Sequence, residues 1–233
     1  MIKYGAMENP KVDGVFGLHC NPDLEVGQIG ITYGKAYAAS DMFDVEIKGE
    51  SCHGAAPHNG IDAIAVGAQI VSSLQTIVAR NVDPLDSAVI TVGSFRGGYQ
   101  RNIIADNVEL SGIIRTLDPQ TRENVKNLFM KVVQGIGQAF GAEVDISMIP
   151  SYPALINDDK MVDIAYNAAK SLMGDTNVVI LKQPTMGVED FAYFLKEAPG
   201  AFLQLGVRNE AKGITYALHS DLFDIDEDAL PLG

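Results

Sequence analysis

The spacing of apolar residues changes in a definite order along the middle of the chain. This order limits the possible folds more than any other feature of the sequence. Apolar residues alternate with polar ones in some segments, as in a half-buried strand. In others they recur every three or four residues, as in an amphipathic helix. The predicted elements are, in chain order, strand Met42–Lys48, helix Ile61–Arg80, strand Ala88–Phe95, strand Val108–Thr116, helix Gln120–Phe140 and strand Glu143–Met148. This βαββαβ order is typical of ferredoxin-like domains.

Strand and helix patterns also alternate on both sides of this segment, which predicts a mostly parallel sheet. The flanking elements are strands Val15–His19 and Gln28–Thr32, separated by a turn-like Cys-Asn-Pro-Asp segment, and then helix Asp159–Met173, strand Val178–Leu181, helix Glu189–Lys196 and strand Ala201–Val207. We therefore predict an α/β fold in which one domain, residues 1–39 and 154–233, is interrupted by an inserted ferredoxin-like domain at residues 40–153.

Charge and composition disfavour some classes of binding partner and some cellular compartments. The formal net charge of −13 disfavours binding to phosphate backbones and anionic lipid surfaces. The sequence shows no signal-peptide pattern and no continuous apolar stretch of roughly 20 residues. Two cysteines, Cys20 and Cys52, are too few for a disulfide framework and favour a reducing compartment. We predict a cytoplasmic protein without nucleic-acid or membrane partners.

The four histidines, His19, His53, His58 and His219, all lie at strand ends or in Gly/Pro-rich loops. Functional side chains of α/β proteins collect at such positions, because they can converge there without disrupting the sheet. A single histidine at a strand end is nevertheless more often a hydrogen-bonded structural residue than a ligand. The sequence contains no local metal-binding signature such as H-E-x-x-H. Spacing alone therefore leaves both interpretations open.

Arg115 is a charged residue on a strand that is otherwise apolar. Its planar guanidinium could bind a carboxylate through two parallel hydrogen bonds. It could equally be a surface residue that extends its charged end into solvent.

At the histidine segments the chain resembles a known family. The matching segments are Gly17-Leu18-His19, the stretch from Cys52 to His58 (CHGAAPH), Arg101 to Asp106 (RNIIAD), Gly112 to Thr116 (GIIRT), Thr185 to Phe191 (TMGVEDF) and Leu218-His219-Ser220. The chain resembles the dinuclear metallo-amidohydrolases and metallopeptidases typified by hippurate hydrolase, auxin–amino acid conjugate hydrolases and N-acetyldiaminopimelate deacetylase. The resemblance runs along nearly the whole chain. It implies a metallopeptidase-type catalytic domain, interrupted by a lid and dimerisation domain.

The resemblance implies a pair of divalent metal ions, with His19 and His219 as ligands and Glu189 close to the metal site. Zinc, manganese, cobalt and nickel all suit such ligands. In this family the ions polarise an amide carbonyl and activate a water molecule.

The resemblance also assigns residues to the substrate. His53 would stabilise the developing oxyanion in the active site of the partner subunit. Asn102 and His58 would bind substrate, and Arg115 would hold its carboxylate. The implied substrate is an N-acyl amino acid or a peptide-like conjugate, cleaved at its amide bond by a homodimer that forms through the inserted domain.

The chain also departs from the family pattern. A Cys-Gly-His-Asp segment and a Glu-Glu pair, which supply further ligands and the general base, do not occur in it. We therefore expect a chain that lacks part of the catalytic domain and, alone, binds metal weakly and has little or no activity. Cys52 and Gly54 also replace the more usual residues beside the lid histidine.

Two other functions remain open at this point. The chain could be a non-catalytic dimerisation or small-molecule-binding module that retains the histidines without using them. Within the enzymes, a dipeptidase or carboxypeptidase is the nearest alternative.

Overall fold

The chain leaves one packed unit after Tyr37, forms a second over Ala38–Ala154, and returns to the first at Leu155. The computed structural model describes all of residues 1–233. The first unit, Met1–Tyr37 with Leu155–Gly233, is therefore discontinuous in sequence.

The second unit contains a four-stranded antiparallel sheet and two helices. Its elements are β4 (Ala39–Lys48), α1 (Ala63–Asn81), β5 (Ala88–Gly97), β6 (Asn107–Thr116), α2 (Pro119–Phe140) and β7 (Glu143–Tyr152). The strand order across the sheet is β5–β6–β4–β7. Strand β4 pairs along its length with β6 on one side and β7 on the other.

Both helices begin at an aspartate cap. Asp62 accepts hydrogen bonds from the backbone N–H groups of Ile64 and Ala65 at the start of α1. Asp118 caps α2 in the same way, and Pro119 occupies the first helical position, where its missing N–H costs no hydrogen bond. The caps satisfy backbone N–H groups at the start of each helix, and one apolar face of each helix packs against the sheet.

The core of the second unit lies between the helices and one face of the sheet. Phe43, Val45 and Ile47 alternate along β4 and are buried, as are the residues at helical spacing on α1 and α2. The Phe43 and Phe129 rings lie 4.6 Å apart. The carboxylate of Asp41, fully buried, receives two hydrogen bonds from the Arg122 guanidinium at 2.7 and 2.8 Å, which joins β4 to α2.

Helix α1 is long and apolar enough to cross a membrane if only length and composition are considered. Its fully buried residues Val66, Ile70, Leu74 and Ile77 recur at helical spacing and belong to the core. Packing against the sheet accounts for this apolar composition.

The first unit contains a mixed four-stranded sheet, a two-stranded ribbon and one α-helix. Its elements are β1 (Val15–Glu25), β2 (Ile29–Ile31), β3 (Lys35–Tyr37), β8 (Leu155–Ile156), α3 (Asp159–Met173), β9 (Val178–Ile180) and β10 (Gly200–Arg208). The sheet order is β1–β10–β2–β9, and β3 pairs with β8. The β1/β10 and β2/β9 pairs are parallel, whereas β10 and β2 are antiparallel. The three-residue link between β1 and β2 reverses the chain, so the predicted mostly parallel sheet carries one reversed strand.

One prediction in this unit is wrong, and one predicted helix is of a different type. The Cys-Asn-Pro-Asp segment is not a turn, because β1 continues through it to Glu25. Its register against β10 shifts between Asn21 and Glu25, and Pro22 lies in this irregular stretch, where no ladder N–H is needed. The helix predicted over Glu189–Lys196 is a 3₁₀ helix, Asp190–Lys196. Pro199 follows closely and limits it to a short element.

A buried asparagine joins the returning chain to the sheet of the first unit. The Asn157 side-chain amide donates to the carbonyl oxygen of Thr32 at 2.8 Å, and its side-chain oxygen accepts from the N–H of Phe202 at 2.9 Å. The Asn157 N–H also donates to the Gly34 carbonyl at 2.8 Å. One residue therefore links the segment that leaves the unit, the segment that returns and strand β10.

We expect Asn157→Ala to destabilise the first unit by roughly 2–4 kcal/mol, because it leaves the Phe202 N–H and the Thr32 carbonyl buried without their partner. Urea unfolding, followed separately for the two units, measures the effect. Asn124→Ala, at an exposed position on α2, is the matched control. An Asn157→Ala midpoint equal to that of the control would contradict the assigned role.

Candidate functional site

Two short loops of the second unit bring His53 and Asn102 side by side. His53 forms an isolated antiparallel bridge with Ile103. The Gly54 N–H donates to the Asn102 carbonyl at 2.8 Å, and the Ile104 N–H donates to the Cys52 carbonyl at 2.9 Å. These hydrogen bonds extend the strand pairing beyond the regular sheet and hold the His53 loop against the Asn102 loop.

Gly54 permits this close approach. A Cβ atom at position 54 would lie 3.0 Å from the carbonyl oxygen of Asn102 and 3.1 Å from its carbonyl carbon. Contacts this short with backbone atoms require the loops to move apart. The small residue after His53 therefore sets the distance between the two loops.

The His53 ring is exposed and has one hydrogen bond within the chain. The N–H of Ala55 donates to its Nδ1 at 3.0 Å. His58 follows in the 3₁₀ turn Pro57–Asn59, is exposed, and makes no hydrogen bond through its ring. The structure therefore orients the His53 ring through the Ala55 N–H and places His58 in the adjacent turn.

Arg115 lies at the far end of the same unit. It is half-buried on β6, opposite Ser40 and Val89. It lies eight residues along the strand from Asn107, the β6 residue nearest the Asn102 loop. That separation corresponds to roughly 26 Å of extended chain. Within the second unit, the structure does not bring Arg115 to His53 and Asn102.

In the first unit, His19 lies on β1 directly opposite Gln204 of β10. Its Nδ1 lies 2.8 Å from the carbonyl oxygen of Cys20, and its ring centroid lies 6.3 Å from that of Phe202. A carbonyl oxygen only accepts hydrogen bonds, so Nδ1 must be the donor. The hydrogen bond and the ring contact together orient the imidazole.

Phe202 is the centre of a small aromatic cluster on this face of the sheet. Its ring lies 5.7 Å from that of Tyr37 and 5.3 Å from that of Phe191. Glu189 caps the 3₁₀ helix that carries Phe191, accepting a hydrogen bond from the Phe191 N–H at 3.3 Å. The position of Glu189 therefore depends on this 3₁₀ helix. The helix packs through Phe191 against Phe202 of β10, the strand next to His19.

Sequence reasoning missed Tyr37 and Gln204. The Gln204 amide donates to the Tyr37 hydroxyl, beside the aromatic cluster. Burial raises the pKa of Tyr37, and the nearby negative charge of Glu189 raises it further, against the opposing effect of the Gln204 hydrogen bond. The phenol is therefore protonated at neutral pH. A single amide in the otherwise apolar strand Ala201–Val207 was the available signal for this pair.

His219 is exposed and has a backbone φ of 65°, the one positive φ at a residue other than glycine. A residue with a Cβ atom is uncommon in this region of φ/ψ space. Such conformations cluster at functional sites, where surrounding structure holds them against a cost on the order of 1 kcal/mol or more.

The metal donors of the chain form an incomplete set. His19 has the arrangement of a metal-binding histidine, since a backbone carbonyl holds Nδ1 and Nε2 is the ring nitrogen on the other side. No group of three or more His, Cys, Asp or Glu side chains is placed to hold an ion. Two histidines do not hold a dinuclear centre by themselves, because at least three protein ligands are usual even at one catalytic zinc.

The fold is that of the metallopeptidase-type hydrolases, and the comparisons with known proteins name the family. The profile of peptidase family M20/M25/M40 matches residues 1–233. The chain belongs to this family.

Two of the named relatives are deacetylases. The N-acetyl-L-cysteine deacetylase of Bacillus subtilis is 39% identical over 219 residues, which cover 94% of this chain and 51% of that protein. The N-acetyldiaminopimelate deacetylase of Priestia megaterium is 37% identical over 232 residues, covering 100% and 60%. The chain therefore spans between half and three-fifths of the length of these relatives.

Solved structures share the fold. A crystal structure from methicillin-resistant Staphylococcus aureus superposes with a TM-score of 0.91 at 32% identity, covering 98% of this chain and 58% of that one. The YXEP protein of Bacillus subtilis, a dinuclear metal-binding peptidase of the M20 family, superposes with a TM-score of 0.78 at 29% identity. Here the match covers 99% of this chain and 56% of that one.

The loop that carries His219 is anchored at both ends by one carboxylate. Asp226, almost fully buried, accepts hydrogen bonds from the Lys212 ammonium at 2.7 Å and from the Asn209 amide. These hydrogen bonds, chiefly that from Lys212, lower the pKa of Asp226 to about 2. The same contact raises the pKa of Lys212.

We expect this anchor to weaken only in strong acid. The folded-state pKa is depressed, so its stabilisation is fully present above the ordinary value of 3.8 and is lost as the pH falls towards 2. Asp226→Asn should lower the urea midpoint at pH 7 and flatten its decline between pH 4 and pH 2. Asp228→Asn, at an exposed partner of Lys212, is the control. Identical pH profiles for Asp226→Asn and the wild type would contradict the anchor.

Proposed function

We propose that this protein contributes to metal-dependent hydrolysis of the amide bond in N-acyl amino acids or related conjugates. The observation that carries the proposal is the hydrogen-bonded pairing of the His53 and Asn102 loops, together with a His19 ring whose Nδ1 is held by the Cys20 carbonyl. Family membership over residues 1–233 and the named deacetylases support it. Two unpaired cysteines, Cys20 and Cys52, support the further proposal of a cytoplasmic location.

In this proposal His19 and His219 are ligands to divalent ions, whose identity among zinc, manganese, cobalt and nickel stays open. Glu189 lies beside them. It is held by the Phe191 N–H and lies near the protonated Tyr37. The pair of ions needs more ligands than these histidines supply.

The second unit would bind the organic part of the substrate. His53 would donate a hydrogen bond to the oxyanion that forms at the amide carbonyl, an effect worth roughly 10²–10³ in kcat. Asn102 and His58 would contact the substrate, and the Arg115 guanidinium would bind its carboxylate through two hydrogen bonds. Charge complementarity between Arg115 and the carboxylate would favour amino-acid conjugates as substrates.

The separation of Arg115 from His53 supports a homodimer. About 26 Å of strand β6 lies between Arg115 and the His53–Asn102 loops. One N-acyl amino acid is too short to contact both in the same second unit. In a symmetric dimer, a second copy could supply one of the two groups to each site.

Hydrolysis can be tested in a chimaera. The part of the Bacillus subtilis N-acetyl-L-cysteine deacetylase without a match in this chain is fused to the 233 residues described here. We expect metal-dependent release of free amino acid from N-acetyl amino acids, and its loss in His19→Ala. Asn124→Ala serves as the control. The unfused chain, with its incomplete ligand set, should retain little metal and show little turnover.

The outcomes separate the candidate activities. Cleavage of dipeptides in preference to N-acyl amino acids would indicate an exopeptidase. A folded chimaera that cleaves neither substrate would reject the proposed function and favour a non-catalytic binding module.

The shared site predicts complementation between two inactive variants. His53→Ala and Arg115→Ala chimaeras should each lose most activity. When they are co-refolded at equal amounts, one site of each mixed dimer regains both groups, giving about a quarter of wild-type activity. Refolding the His53→Ala chimaera alone under the same conditions is the control and should restore nothing. Failure of the first pair to complement would mean that both residues act within one chain, or that one of them is not needed.

A further inference from the structure

We propose that Tyr37, held by Gln204, is a substrate-binding residue of the first unit, and that its hydroxyl donates a hydrogen bond to the acyl carbonyl oxygen of an N-acyl amino acid. The contact with substrate rests on the proposed function. The position of the hydroxyl and the direction of its hydrogen bonds rest only on the contacts of this chain.

Tyr37 lies on the face of the first-unit sheet that carries His19. Gln204 is directly opposite His19 in the parallel β1/β10 pair, so the two side chains share a face. Phe202 lies two residues before Gln204 and therefore points the same way, with its ring 6.3 Å from that of His19. The Tyr37 ring meets Phe202 edge-on, and the Tyr37 hydroxyl meets the Gln204 amide. The phenol and the imidazole thus flank the same stretch of β10.

The Tyr37 ring is held in place by the loop formed by residues 185–187. Tyr37 forms an isolated parallel bridge with Thr185, and the Thr185 N–H donates to the Ala36 carbonyl at 2.9 Å. A Cβ atom at position 187 would lie 3.6 Å from the ring carbon Cδ1 of Tyr37, so Gly187 passes beside the ring. Phe202 covers another side. The hydroxyl is therefore oriented before any ligand binds, which reduces the entropy lost on binding.

The Tyr37 hydroxyl has one partner within the chain and keeps its proton for another. The Gln204 side-chain amide donates to the phenol oxygen, and the hydroxyl makes no other hydrogen bond in the chain. A hydroxyl that accepts from an N–H directs its own proton elsewhere, because it is both an acceptor and a donor. Gln204 is only 8% exposed, which confines its amide to this contact. The Tyr37 O–H is left as a donor for a bound ligand.

The charges around this hydroxyl favour a neutral acceptor. Burial raises the pKa of Tyr37, and the negative charge of Glu189 is close enough to raise it further. The same charge opposes the approach of a carboxylate, for which Arg115 is the proposed partner. The acyl carbonyl of an N-acyl amino acid is an uncharged acceptor. A carbonyl oxygen has two lone pairs, so this hydrogen bond is compatible with the one proposed for His53.

The free donor can be tested by ¹³C NMR of the 233-residue chain, labelled at Cζ of its tyrosines. Tyr37→Phe assigns the Tyr37 signal, and the titration of that signal gives the phenol pKa. We expect a pKa above the ordinary value of 10.0. Gln204→Met should raise it further, because the lost hydrogen bond stabilises the phenolate. Glu189→Gln should lower it, because a negative charge is removed. Tyr4→Phe, at an exposed tyrosine, is the control and should leave the Tyr37 signal unchanged.

Two results of the titration would overturn the proposal. A lower Tyr37 pKa in Gln204→Met would mean that the phenol donates to Gln204 and has no proton for a ligand. An unchanged Tyr37 pKa in Glu189→Gln would remove the reason for preferring a carbonyl to a carboxylate. The second variant keeps the proposal open to rejection if Gln204→Met does not fold.

The substrate contact can be tested in an active chimaera. Tyr37→Phe removes one neutral hydrogen bond and should lower kcat/KM for N-acetyl amino acids about tenfold. The loss should be smaller for N-thioacetyl amino acids, because sulfur is a weak acceptor. A purely structural role would give equal losses for both substrates and would overturn the proposal, as would an unchanged kcat/KM. Tyr4→Phe is again the control.

Failure of this proposal can be told apart from failure of the proposed function. The NMR titration requires neither metal nor turnover, so a reversed effect of Gln204→Met rejects the role of Tyr37 alone. A folded chimaera that cleaves no amide rejects the proposed function, and with it the substrate contact.

Discussion

The hydrogen bonds of the buried Asn157 side chain join the three segments that form the discontinuous first unit. The chain leaves the first unit after 37 residues and returns 117 residues later, and the entropy of closing so long an excursion opposes its return. Asn157 offsets part of that cost by bonding Thr32 on the outgoing segment and Phe202 on β10. Strand β10 is also the neighbour of β1, so the position of His19 depends on the same contact.

Main-chain groups orient the residues that matter for the proposed function. The Cys20 carbonyl holds His19, the Ala55 N–H holds His53, and the Phe191 N–H holds Glu189. A partner fixed in the backbone loses little conformational freedom when it forms a hydrogen bond, whereas a long side chain loses more. Each of these side chains therefore keeps its orientation within its own unit, even where a ring such as that of His53 is exposed.

The local sequence pattern predicted some elements correctly and failed where strand pairing between distant segments decided the structure. The alternation over Met42–Lys48 and the helical spacing over Ile61–Arg80 predicted β4 and α1 correctly, because burial on one face produces those periods directly. Pro22 and its neighbours predicted a turn, but pairing with β10 extends β1 through them. Tyr37 and Gln204 carry no motif, and their contact joins residues 167 positions apart. Such pairs are not visible in a single sequence.

By itself, the sequence determined the class of fold, the order of its elements and the histidine segments that mark the family, because hydrophobic period and local motifs are properties of neighbouring residues. Tertiary structure alone decided the direction of β2, the closeness of His53 to Asn102 and the distance of Arg115 from both. Each of these depends on a hydrogen bond or strand pairing between segments that converge only in the folded chain, or on a backbone direction that side-chain identities do not encode.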